Sequence, residues 1–259
     1  MKFVHVTDPH IVSEGSLYGS DPAARLRTCI ADINANHADA ASVVFTGDLT
    51  DAGDAASYTR LHTILAELIP PAHLMIGNHA RRGPFRAAFP QTPTDPAGFV
   101  QYALDTPAGR FLCLDTVDEG HDHGRLCPAR LGWLEAELTR TAGMPVFLFM
   151  HHAPLAVGHA LLDGIGLLDA EALAGVAARH PNIRQIFFGH LHRPVSGAWR
   201  GIPFAGLPGL NHQTALDLSG SDTWTGAHEP PAYGVVLARP DATVVHVHNF
   251  IDGAKTFPF

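Results

Sequence analysis

The sequence predicts an α/β fold, a four-layer α/β/β/α sandwich of two mixed sheets flanked by helices. Three observations lead there. Short apolar runs rich in β-branched and aromatic residues alternate with helical patterns, which implies a βαβ core. The part of the chain after residue 190 reads mostly as strands, and that fits two layers of sheet better than one doubly wound sheet. With 259 residues, 46% of them hydrophobic, the chain is long enough for one large domain and is no disulfide-stapled module.

Taken in order, a strand is expected over 3–6, where Phe3-Val4-His5-Val6 runs into polar Asp8-Pro9-His10. A helix follows over 22–34, with Asp21 as its N-cap and Pro22 in its first turn. Residues 42–46 form an apolar strand ending at Gly47-Asp48, and 55–68 carry apolar residues at helical spacing. The strand at 73–76 stops at Gly77-Asn78-His79. Strands are expected at 99–104 and 110–114, a helix at 131–138, a strand at 146–150, a helix at 169–178 and a strand at 183–188. Four more strands are expected at 195–199, 215–218, 233–237 and 243–248. The Pro- and Gly-containing stretches 90–98 and 219–231 read as surface loops, since strands resume beyond them. The expected division is a catalytic domain over 1–232 and a C-terminal β extension over 233–259 that completes the sheet or serves oligomerisation.

Seventeen Lys and Arg against 25 Asp and Glu give a net charge of −8, and no basic run offers a footprint for nucleic acid. Phosphate chemistry would therefore have to take its positive charge from elsewhere. The 18 His outnumber all Lys and Arg, which points to metal. Cys29, Cys113 and Cys127 show no CxxC spacing and read as free thiols of a reducing compartment. The N-terminus meets Asp8 and His10 before any apolar stretch reaches signal-peptide length, and no run approaches about 20 apolar residues. A cytoplasmic protein without membrane partner is expected.

Open α/β sheets place their chemistry beyond the carboxyl ends of strands, and polar residues gather there in this chain. Asp8 and His10 are two apart, so in an extended segment both side chains leave one face. Asp48, Asn78, His151, His190 and His192 each follow another strand end. Seven donors exceed one tetrahedral zinc and suit two ions sharing a carboxylate. Imidazole, carboxylate and amide without thiolate favour Fe, Mn, Zn or Co.

These blocks, Asp8-x-His10, Gly47-Asp48, Gly77-Asn78-His79, His151 and Gly189-His190-x-His192, resemble in order the signature of the calcineurin-like metallophosphoesterases over roughly residues 1–218. Leu17-Tyr18-Gly19, Tyr58, Met150 to Pro154, Leu207-Pro208-Gly209 and His212-Gln213 are similar to segments of class III cyclic-nucleotide phosphodiesterases and bacterial glycerophosphodiesterases. The resemblance implies that Asp8, His10, Asp48 and His192 hold one metal and Asp48, Asn78, His151 and His190 the other, with Asp48 bridging. It implies a catalytic role for His79, facing the phosphate to stabilise charge or protonate the leaving alkoxide. It also implies a homo-oligomer, since relatives assemble through C-terminal additions. The family pattern continues Gly-Asn-His with Asp, where this chain has Ala80; losing that carboxylate would remove support for His79 or the Asn78 loop and weaken the enzyme.

Other histidines divide by context. His152 alternates to the opposite face from His151 and is expected to pack or support rather than ligate. His121 and His123 stand in a Gly-flanked acidic stretch that reads as a solvated loop. His212 reads equally as a substrate neighbour or a strand-edge residue. His246 and His248 belong to the polar face of a strand.

The expected function is hydrolysis of small phosphodiesters, glycerophosphodiesters or 3',5'-cyclic nucleotides, by hydroxide held on the two metals. A phosphomonoesterase or phosphonate-ester hydrolase on the same metals is the alternative chemistry, and a non-catalytic scaffold the alternative class. A polynucleotide is disfavoured by the negative charge.

Overall fold

A computed structural model describes residues 1–251; the last part of the expected extension, 252–259, lies outside the described residues. In chain order the main elements begin with β1 (Lys2–Val6), α1 (Pro22–His37), β2 (Val43–Phe45), α2 (Ala55–Leu65), β3 (Ala72–Leu74) and α3 (Arg82–Ala88). They continue with β4 (Tyr102–Thr106), β5 (Gly109–Cys113), α4 (Pro128–Arg140), β6 (Val146–Phe149), α5 (Ala160–Gly164), α6 (Ala170–Ala177) and β7 (Ile183–Phe188). The chain then turns to β8 (Val195–Trp199), β9 (Ile202–Gly206), β10 (Gln213–Thr214), β11 (Gly226–Ala227), β12 (Ala232–Ala238) and β13 (Thr243–Asn249).

Two sheets result. The first has the order β13-β12-β1-β2-β3, with β1, β2 and β3 parallel and the C-terminal pair antiparallel, Phe3 opposite Val236. The second has the order β4-β5-β6-β7-β9-β8, parallel in its middle and antiparallel at both edges. Both are mixed, as expected.

Aromatic side chains form the layer between the sheets. Phe3 of the first sheet meets the ring of Phe111 edge-on at 4.9 Å, and Phe149 stacks on Phe187 at 5.0 Å, geometries that add to what their burial contributes. On the outer face of the first sheet, Leu26, Ile30 and Ile33 of α1 and Tyr58, Leu61 and Ile64 of α2 are buried with Val4, Val43 and Phe45. On the outer face of the second, Leu134 and Leu138 of α4 and Leu173 of α6 pack with Leu148 and Ile186. The four layers are therefore helix, sheet, sheet, helix.

Local signals account for the long helices. Asp21 accepts from the Ala23 and Ala24 amides and Asp54 from the Ser57 amide, closing the open N-termini of α1 and α2. The expected strand at 215–218 is not formed; Leu216 and Leu218 are exposed there, and the β pairing falls on Gln213–Thr214 instead. Strand β9 escaped the pattern because Pro203 interrupts it, and α3 and α5 are too short to carry a period.

Candidate active site

Every block of polar residues leaves the carboxyl end of a parallel strand. Asp8 and His10 follow β1, Asp48 follows β2, Asn78 and His79 follow β3, His151 follows β6, and His190 and His192 follow β7. Because the two sheets pack face to face, these ends open at one rim, as the rule for open α/β sheets requires.

The backbone there is bent in an uncommon way. Seven non-glycine residues have positive φ among those described, and five of them are Asp8, His10, Asp48, His190 and His192. Each such residue costs about 1–3 kcal/mol and persists only where its surroundings hold it. Glycines give the space to do so. A β-carbon on Gly47 would come within 2.8 Å of the His151 ring, and one on Gly189 would collide with Thr7 and come within 2.8 Å of Asp8 Oδ2. Gly47 and Gly189, directly before Asp48 and His190, thus let two strand ends approach closely.

Backbone carbonyls and one carboxylate set the histidine tautomers. His151 Nδ1 donates to the Thr46 carbonyl at 2.8 Å, His192 Nδ1 to the His212 carbonyl at 2.9 Å, and His190 Nε2 to the Ile165 carbonyl at 3.0 Å. His10 Nδ1 donates to Asp51 Oδ1 at 3.2 Å. A neutral imidazole has one N–H, so the other nitrogen of each ring carries a lone pair.

Those lone pairs point at one another and at carboxylates. His10 Nε2 and His192 Nε2 are 3.1 Å apart, with Asp8 Oδ1 3.5 Å from the latter and Asp48 Oδ2 3.7 Å from the former. On the other side, His151 Nε2 lies 3.2 Å from Asp48 Oδ2 and 3.0 Å from Asn78 Oδ1. Acceptors so opposed and so buried require a cation or protons between them. The protein by itself supplies protons: burial disfavours charge on His151, but the Asp48 carboxylate outweighs it and raises that imidazole to about 9. His192 is raised likewise by Asp8, against the effect of burial. Asp48 stays well below the usual carboxylate range despite burial, chiefly through His151. The donor set therefore fits metal in two adjoining groups that share Asp48.

His79 lies at the edge of this array. Its amide donates to Asp48 Oδ1 at 3.0 Å, and its Nδ1 donates to the Asp51 carbonyl at 2.6 Å, leaving Nε2 as its free nitrogen on the cavity. Asp51 was not singled out from sequence, although it sits three residues beyond Asp48. Its side chain touches His10 and lies 3.6 Å from His79 Nδ1, so a carboxylate stands beside His79 despite Ala80. Ala80 itself is buried in the hydrophobic cluster that contains Tyr58 and Phe85.

The remaining histidines separate by their partners. His152 is buried with Nδ1 on the Thr116 hydroxyl at 2.8 Å and Nε2 donating to the Asp122 carbonyl at 3.2 Å, so both nitrogens are engaged. His212 tilts over His192 at 4.4 Å and lines the cavity, where burial and the neighbouring His192 push it down to about 3. His121 and His123 gather round Asp118 on the surface, with Arg125 3.3 Å from the same carboxylate. His246 and His248 are exposed on β13.

A cavity of about 550 Å³ opens over the metal-type residues, inside the 300–1,000 Å³ or so usual for small-molecule sites. The calcineurin-like phosphoesterase family matches residues 1–194. The chain belongs to this family. A probable cyclic nucleotide phosphodiesterase of Rhodopseudomonas palustris is 44% identical to it, covering 99% of this chain and 95% of that one. A glycerophosphodiester phosphodiesterase of Enterobacter lignolyticus is 32% identical over 82% of this chain and 78% of its own. A dimetal phosphatase of Danio rerio superposes with a TM-score of 0.75 at 18% identity, covering 97% of this chain and 96% of that one, and shares the fold. Calcineurin-like phosphoesterases work with a dinuclear metal centre, and this member carries the clusters of candidate ligands for one. No helix among the described residues is long and apolar enough to cross a membrane.

Proposed function

We propose that this calcineurin-like phosphoesterase hydrolyses small phosphodiesters, glycerophosphodiesters or 3',5'-cyclic nucleotides, at a centre of two metal ions. Asp8, His10, Asp48 and His192 hold one ion; Asp48, Asn78, His151 and His190 hold the other. Fe, Mn, Zn or Co suit this mixture of imidazole, carboxylate and amide. The observation that carries the reading is the facing of His10 Nε2 and His192 Nε2 at 3.1 Å, each ring's Nδ1 already donating elsewhere, beside carboxylates that are acceptors. Bound there, two ions supply the positive charge that a chain of net charge −8 lacks and neutralise the phosphate oxygens.

The protein's own groups do the rest. Asp51 and the carbonyls of Thr46, Ile165 and His212 fix each ring's tautomer, so that the nitrogens offered to metal are basic and preset. His79 keeps its Nδ1–H on the Asp51 carbonyl. When its ring is also protonated at Nε2, that N–H passes its proton to the departing alkoxide, which leaves as the alcohol. His10, meeting the His79 ring edge-on at 4.7 Å, limits where His79 can swing.

Small diesters fit better than polynucleotides, because among the described residues no Lys or Arg lines the cavity to track a phosphate backbone. The reading includes a cytoplasmic location and a homo-oligomer, with a C-terminal extension, residues 233–259, that completes the sheet or serves assembly. Kinetics after loading with Mn, Zn, Fe or Co decide the main point. Bis(p-nitrophenyl) phosphate, cyclic AMP or glycerophosphocholine should be turned over faster than p-nitrophenyl phosphate, and DNA should stay intact. Faster monoester cleavage, or efficient DNA degradation at physiological salt, would overturn the reading, and sedimentation velocity tests the oligomer.

A further inference from the structure

The cavity has a second wall that the metal-type residues leave unused. It is formed by the end of α5, through Leu162 and Ile165, and by the segment that β11 anchors, through Trp224 and Thr225. The β10–β11 pairing, Gln213 opposite Ala227 and Thr214 opposite Gly226, folds this segment back over the strand-end cluster. Gly19, next to Tyr18 of the cavity, lies against the ring of His228, so the segment is also held from the other side.

Trp224 is the unusual residue of that wall. It is 54% exposed, yet its ring is backed by His159, which is itself buried and lies nearly parallel to it at 6.2 Å and 25°. An indole braced on one side and open to a cavity on the other is a preset stacking surface, since little side-chain freedom remains to be lost on binding. The neighbouring Leu162 and Ile165 side chains are apolar, and among the described residues no Lys or Arg lines the cavity. The negative charge of a ligand therefore belongs at the strand ends, while its other half meets a flat, uncharged surface with the Thr225 hydroxyl and the His228 ring near its edge.

We propose that Trp224 is a specificity-determining residue that stacks on the nucleobase of a nucleoside phosphodiester. The assignment rests on the small-diester reading and narrows it to diesters carrying a planar heteroaromatic ring. A quaternary ammonium group, the other ligand that an indole face attracts, is best held by several aromatic faces together. Here the indole stands beside aliphatic Leu162 and Ile165, while Tyr18 of the cavity packs edge-on against His212 at 4.7 Å, which favours the flat ring.

Trp224→Ala and Trp224→Phe, each loaded with metal, test this on cyclic AMP, glycerophosphoethanolamine and glycerophosphocholine. Trp224→Ala should raise KM for cyclic AMP about tenfold, inside the range set by base–aromatic stacking, with kcat within about twofold. Trp224→Phe should recover most of the loss, and both glycerol diesters should change by less than about twofold. Equal losses on all three substrates, no loss on any, or a loss confined to the choline diester would overturn the assignment. Equilibrium binding separates this inference from the phosphodiesterase reading. If no small diester is turned over, that reading fails. Adenosine monophosphate should still bind about tenfold more weakly to Trp224→Ala, with glycerol 3-phosphate unaffected, and equal affinities of both proteins for adenosine monophosphate would overturn the stacking role.

Discussion

Gly77 lies against the Asp48 carboxylate with no space for a side chain. A β-carbon at Gly77 would collide with Asp48 Oδ1 and come within 2.6 Å of His151 Nε2, the two groups through which the metal clusters adjoin. Gly77→Ala should therefore leave the circular dichroism spectrum unchanged while metal content after reconstitution falls from about two ions per chain to one or none. Elemental analysis gives the answer, and two retained ions with normal turnover would show that the loop yields without disturbing Asp48.

Asp51 carries a carboxylate to His10 and stands beside His79, so Asp51→Asn should weaken metal affinity or activity by about 10–100-fold, the scale of residues that orient ligands. His79→Ala should differ in kind. It should lower kcat while both metals stay bound, because the His79 side chain donates to the Asp51 carbonyl, meets the His10 ring only edge-on, and reaches Asp48 through its backbone amide alone. Loss of a metal in His79→Ala would assign that imidazole to the ligands instead.

Ala80 breaks the family's Gly-Asn-His-Asp pattern, and from sequence a carboxylate restored there should raise metal affinity or activity by about 10–100-fold. The packing around Ala80 gives a reason to expect otherwise. Ala80 belongs to the buried cluster with Tyr58 and Phe85, and Asp51 already stands at His79. Ala80→Asp should place a carboxylate in apolar surroundings, lower the Tm and gain less than about twofold in activity. Thermal unfolding measured beside turnover checks both halves.

His5 is a buried imidazole under the site, its Nε2 on the Thr46 hydroxyl at 2.8 Å and Nδ1 without a partner. Burial pushes it down to about 3, with Asp8 opposing. The unfolded chain takes up a proton near its ordinary value of 6.5 and the folded chain does not, so stability falls as pH drops from 6.5 toward 3. The slope from this one group is about 1.4 kcal/mol per pH unit. Urea unfolding of wild type and His5→Leu at pH 7.5, 6 and 5 should show a shallower pH dependence in the variant. Identical slopes would place the acid sensitivity elsewhere.

The strand ends and the residues that follow them are legible in the chain alone. Parallel strands buried on both faces are mainly apolar, so Val43 to Phe45, the end of β7 from Ile186 to Phe188 and, apart from His5, Phe3 to Val6 stand out in the chain, and polar Asp8, Asp48 and His190 after them stand out equally. Periodicity was likewise enough for α1, α2 and the C-terminal hairpin, because each repeats its pattern over several turns or residue pairs. Packing settles which nitrogen of each histidine faces inward, since the carbonyls of Thr46, Ile165 and His212 that fix the tautomers are remote in sequence from the rings they bind. It also decided that Asp51 stands at His79, that Ala80 points into a core, and that Trp224 faces the site. Residues 219–227 carry no period, the alternation at 215–218 misleads, and two residue pairs of β structure place that segment; contacts so sparse leave no reliable local signal and exist only once both sheets have packed.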